Sequence, residues 1–141
     1  MIFVFDENIP PKIVEALTAL DAECCRIHTI HSVYDLKLNG YKDIDLFPKL
    51  RELFPDDKCV FISGDKMILR RPPEIATLKS NGLIAFICAP SACNKGMFDR
   101  AIYLINSWKS IVSLSDKSAI RTVYQIPARN FDITEKSFSR I

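Results

Sequence analysis

Apolar and polar positions along the chain fall into short solid runs separated by helical stripes. Ile2 to Phe5 is an unbroken apolar run closed by Asp6, the pattern of a strand covered on both faces. Pro10 and Pro11 follow, and proline suits a first helical turn. Ile13, Val14, Leu17 and Leu20 then repeat at helical spacing. Cys24 to Ile30 has the pattern of a second strand, and Asn39-Gly40 marks a turn after it. From Asp43 to Phe54 the pattern is helical again. Cys59 to Ile62 and Leu83 to Cys88 are further buried strands, with Pro72-Pro73 opening a helix between them and Asn81-Gly82 closing it. Phe98, Ala101, Ile102, Ile105 and Val112 mark a longer helix with Trp108 beside the stripe. Thr122 to Ile126 is the last strand, ended by Pro127.

Strands that alternate with helices predict an α/β fold with a mainly parallel central sheet and helices on both faces. Solid rather than alternating apolar strands agree, because parallel strands are buried on both sides. In such sheets the chemistry sits outside the carboxyl ends of the strands. The residues that terminate strands are therefore the informative ones.

A length of 141 residues suits a single domain over 1–141, with residues 113–141 as a final strand and tail. The tail is equally open to a role as a subunit contact. The apolar runs are far too short to span a membrane, and the N-terminus meets Asp6 and Glu7 at once, so no secretory signal is expected. Charge is segregated: residues 1–65 carry 7 Lys/Arg against 12 Asp/Glu, and residues 66–141 carry 12 against 5. An acidic half beside a basic half suits a cation site next to a polyanion-binding surface. The 5 cysteines lack any CxxC pair. Cys25, Cys59 and Cys88 sit in apolar runs, which predicts reduced buried thiols and a cytoplasmic protein. His28 and His31 have no acid or cysteine cluster near them in sequence, so a surface or core place is expected for both.

Asp6 ends the first strand and Asp65 follows the third. If those strands are neighbours, both carboxylates emerge at one edge of the sheet. With Asp43 at zero on a helical wheel, Phe47, Leu50 and Phe54 fall within about 40° of it. Asp43 thus points with the apolar stripe, while Asp45 falls near the opposite face. Pro48 leaves a second option, a helix that starts at Asp45 and leaves Asp43 in the preceding loop. Each acid also has an ordinary structural use, as a turn or helix-cap residue. Acids gathered in one place repel unless a cation neutralises them, and carboxylate clusters select hard ions such as Mg²⁺ or Mn²⁺. Lys66, Arg70 and Arg71 follow the third acid, and Lys12 the first, as candidate phosphate contacts. Tyr41, Tyr124 and Phe131 offer rings to bases, although core or rim is their more usual place.

Phe3-Val4-Phe5-Asp6-Glu7-Asn8-Ile9-Pro10 resembles the opening F-x-x-D-E-N-[LI]-P of the PIN-like family. Val60-Phe61-Ile62-Ser63-Gly64-Asp65-Lys66 resembles its strand ending in [ST]-x-D-[KR], and Asp43 with the helix after it resembles the middle block. Ile68-Leu69-Arg70-Arg71-Pro72-Pro73-Glu74 is similar to the VapC-type toxin branch. The resemblance implies a Mg²⁺- or Mn²⁺-dependent ribonuclease that leaves a 5′-phosphate and a 3′-hydroxyl. It further implies the toxin of a toxin–antitoxin pair, with RNA and a protein antitoxin as partners and a homodimer as the assembly. Asp6, Asp43 and Asp65 fall on the family's catalytic and metal-holding acids, with Asn8 on its polar position and Glu7 beside it in support. Many members carry a further acid two residues after the third, where this chain has Met67. Two other readings stand beside this one: a catalytically silent PIN-like module that binds RNA or protein, and a receiver-like Mg²⁺-binding domain.

Overall fold

The computed structural model describes residues 1–24, 28–129 and 132–141. Cys25 and Phe131, and the middle of the expected second strand, lie outside the described residues. The strands are β1 (Ile2–Phe5), β2 (Thr29–Ser32), β3 (Cys59–Ser63), β4 (Ile84–Ile87), β5 (Val123–Gln125) and β6 (Ser139–Arg140). The helices are α1 (Pro11–Cys24), α2 (Asp43–Leu53), α3 (Pro72–Ser80), α4 (Pro90–Cys93) and α5 (Met97–Lys117). The strands form one sheet in the order β2-β1-β3-β4-β5-β6. Every pairing is parallel except β5 with β6, which is antiparallel. The expected α/β fold with a mainly parallel sheet is what forms.

The solid apolar strands are solid because the sheet has a core on each face. Phe3, Phe5, Val60, Ile62, Ile84 and Phe86 point to the side packed with α1 and α5. Val4, Cys59, Phe61, Ala85 and Ile87 point to the side of α2 and α3. Alternation at period 2 therefore divides one apolar run between two cores. Among the described residues no helix is long and apolar enough to cross a membrane.

Several elements differ from the sequence reading: α4 and β6 are additional, so β5 is not the last strand, and α5 runs through Lys117 into the expected tail. Cys24 closes α1 instead of opening a strand, and β2 begins at Thr29. The buried face of α1 continues through Asp21, not Leu20, which is 53% exposed. Asp21 is buried because Trp108 Nε1 donates to it at 2.8 Å and His28 Nε2 lies 2.7 Å away. His28 is thus a core residue, and His31 stacks on Phe54. On α5 the buried face is Tyr103, Leu104, Ser107, Trp108, Ile111 and Ser115, whereas Phe98 is 84% exposed. Ser107 and Ser115 can be buried there because each hydroxyl donates to the carbonyl four residues back. Cys59 and Cys88 are buried free thiols, as expected.

Candidate active site at the carboxyl edge

Parallel pairing of β1 with β3 sets the site. Phe5 lies opposite Ile62, so the next residues along, Asp6 and Ser63, are neighbours at the carboxyl edge. Asp6 is two positions beyond Val4 and Ser63 two beyond Phe61, so both face the α2–α3 side. Helices that follow parallel strands run back down the sheet, which brings the N-termini of α2 and α3 to this same edge. Asp43 is the first residue of α2, and Glu74 lies in the first turn of α3. Two helix N-termini, each carrying an acid, thereby face the strand-end acids.

Hydrogen bonds fix the frame. Asp6 Oδ1 accepts from the Glu7 N–H at 2.8 Å, and Oδ2 accepts from Ser63 Oγ at 2.7 Å. The Asp65 N–H donates to Ser63 Oγ at 3.0 Å, so one hydroxyl ties both strand ends together. Asp65 Oδ1 accepts from the Met67 N–H at 2.8 Å and caps the 3-10 turn over Lys66–Arg70. Asn8 Oδ1 accepts from the Gly64 N–H at 2.8 Å. A Cβ on Gly64 would stand 3.1 Å from that oxygen and 3.2 Å from Ile9 Cδ1, so the close approach favours glycine. Glu7 Oε2 accepts from the Gly40 N–H at 2.9 Å, and Gly40 adopts φ +85 to present it. Glu7 and Asn8 therefore hold the walls of the site.

The result is a cleft of about 420 Å³ lined by Asp6, Asp43, Asp65 and Glu74, with Glu7, Asn8, Tyr41, Lys42 and Arg71 around them. Asp43 is pushed up to about 7, first by burial and then by the negative charges of Asp6, Glu74 and Asp65, with a hydrogen bond to Glu74 adding to it. Burial raises Asp6 as well, and the bonds from Ser63 and Glu7 pull it part of the way back. Arg71 Nη1 reaches Asp65 Oδ2 at 3.4 Å and Glu74 Oε1 at 3.3 Å.

The structure thus brings together Asp6, Asp43, Asp65, Glu7, Asn8, Tyr41 and Arg71 of the residues singled out in the sequence. Helix α2 starts at Asp43 despite Pro48, and Asp45 is exposed. Lys66 and Arg70 are exposed on the 3-10 turn and do not line the cleft. Lys12 pairs with Glu15 on the outer face of α1. Tyr124 stacks on Phe86, away from the cleft. Two contributors were missed. Ser63 sits within the S-G-D run, and Glu74 within R-R-P-x-E, so both had a signal in the motifs already noted. Glu74 supplies a fourth acid where Met67 does not.

The donor set fits a hard divalent cation. It is all carboxylate oxygen, and of the causes that raise Asp43, burial first and like-charge repulsion second, a cation would relieve the repulsion. Among the described residues no three His, Cys, Asp or Glu side chains already stand as a metal cage, so binding would draw the acids inward. A family model described as PIN-like domain matches residues 1–90, a span that runs from β1 through β4 and contains all four acids. Comparison with the curated proteins and with the solved structures gives no match.

Proposed function

Because the chain belongs to the PIN-like domain family, a family whose members are often nucleases, we propose that its acidic cleft hydrolyses RNA phosphodiester bonds with Mg²⁺ or Mn²⁺. The observation that carries the reading is the convergence of Asp6, Asp43, Asp65 and Glu74 on one cleft at the carboxyl edge of a parallel sheet. These acids would hold the cation. When bound, it would supply Lewis-acid activation of water and neutralise charge on the phosphate in the transition state. Asp6 is oriented by Ser63 and the Glu7 N–H, so one of its oxygens is fixed relative to β3. Asp43, pushed up to about 7 by burial and then by the neighbouring acids, can hold or release a proton near neutral pH. Lys42 and Arg71 at the rim offer positive charge to phosphates, and Tyr41 offers an exposed ring to a base.

The toxin assignment, with an antitoxin and a homodimer, rests on the resemblance that includes the Ile68–Glu74 run, and a cytoplasmic place rests on the buried thiols. A silent RNA- or protein-binding module is the second reading, and the lack of a preformed cage among the described residues favours it. The test is cleavage of a mixed single-stranded and structured RNA pool with Mn²⁺, Mg²⁺ or EDTA. The expected result is metal-dependent cutting that falls by at least about 100-fold in Asp6→Asn and Asp65→Asn. Intact RNA in every metal, with folded protein, would favour the silent module.

A further inference from the structure

Arg71 stands where the 3-10 turn after Asp65 passes into α3, so its side chain lies between two of the cleft acids. Its Nη1 is 3.4 Å from Asp65 Oδ2 and 3.3 and 3.5 Å from the two carboxylate oxygens of Glu74. One nitrogen thus serves three oxygens from two residues, at the long end of hydrogen-bonding distance. The side chain is 47% exposed, and solvent screens an ion pair in that setting. The contact is weak enough to give way, yet it occupies oxygens that a divalent cation would need.

We propose that Arg71 is a resident counter-ion of the cleft, which neutralises Asp65 and Glu74 in the cation-free protein and competes with a divalent cation for them. The inference rests on the function proposed above and adds a regulatory element to it. A guanidinium and a divalent ion drawn to the same carboxylates repel each other, so binding of either weakens binding of the other. Cation entry therefore releases the guanidinium, which then faces the open cleft.

The experiment is Mn²⁺ binding to the whole chain, followed by calorimetry and by the Mn²⁺ electron paramagnetic resonance signal. Wild type, Arg71→Ala, Arg71→Gln and Asp6→Asn are compared, with thermal unfolding as the check on folding. The two Arg71 variants are expected to bind Mn²⁺ roughly three- to tenfold more tightly than wild type. Arg71→Gln keeps the bulk of the side chain and serves if Arg71→Ala folds poorly. Unchanged or weaker Mn²⁺ binding in the folded Arg71 variants, with binding lost in Asp6→Asn, would overturn the counter-ion and leave the proposed nuclease standing. No Mn²⁺ binding by wild type and Arg71 variants alike would overturn both.

Discussion

Ser63 Oγ donates to Asp6 Oδ2 and accepts from the Asp65 N–H, and the residue is fully buried. Removing that hydroxyl leaves a buried carboxylate and a backbone donor short of a partner. Ser63→Ala is expected to cost about 1–3 kcal/mol in urea unfolding, and it should raise Asp6 further because a bond that lowers it is gone. Replacing the fourth acid tests a different point. Glu74→Gln should weaken Mn²⁺ binding while leaving unfolding nearly unchanged, since the lost contact to Arg71 is offset by relief of the repulsion with Asp43. At this scale the sequence was readable where backbone position decides the outcome. Asp6 and Asp65 end strands, and strand ends in a parallel sheet share an edge. Asp43 was readable from its helical phase. Glu74 was legible only as part of the R-R-P-x-E run, because its turning toward the cleft depends on how α3 packs beside α2.

Helix α2 carries Pro48 in its interior, at a cost of order 3 kcal/mol in an isolated helix. The helix persists because Leu46, Phe47 and Leu50 are buried against β3 and its neighbours. The alternative start at Asp45 fails because the Asp45 and Leu46 N–H groups both bond the Lys42 carbonyl, which closes the first turn from Asp43. The far end of α2 is held by Arg51. Its guanidinium donates to the carbonyls of Phe54, Asp57, Asn81 and Gly82 at 2.8 to 3.3 Å, joining the α2 exit to the α3 exit. Arg51→Ala is expected to destabilise the fold by about 2–3 kcal/mol. Arg51→Lys should recover little, since an ammonium cannot fork to several carbonyls. Calorimetric unfolding measures both. The elements that sequence reading misjudged share one cause. The buried faces of α1 and α5 include Asp21, Ser107 and Ser115, polar residues whose bonding is supplied by Trp108 or by the helix backbone. An apolar-stripe search passes over them and selects Leu20 and Phe98, which are exposed. Strand β6 spans only Ser139–Arg140 and leaves no period to detect.

Over the whole molecule, the acidic first half supplies the strand-end and α2 acids, and the basic second half supplies the cations after Asp65. Gathering acids in one cleft has a price in stability that depends on pH. Asp6 and Asp43 are both raised above their ordinary values, Asp43 from 3.8 to about 7. The folded state then binds more protons than the unfolded state between those values. Stability from Asp43 is fully present below about pH 4 and is lost as pH rises through about 7, and Asp6 acts in the same direction. The cation-free protein should therefore unfold at a lower temperature at about pH 8 than at about pH 5. Added Mg²⁺ should raise the midpoint more at the higher pH, where the acids are bare. A scanning-calorimetry series with and without Mg²⁺ checks the sign.

The central claim is that the four acids at the carboxyl edge of β1 and β3 form one cation-binding centre. The most direct measurement is an anomalous difference map from crystals equilibrated with Mn²⁺. The expected result is a peak in the cleft within coordinating distance of Asp6, Asp43 and Asp65, with Glu74 drawn toward it and Arg71 turned away. A cleft without a peak at saturating Mn²⁺, and with Arg71 still on Asp65 and Glu74, would contradict the account.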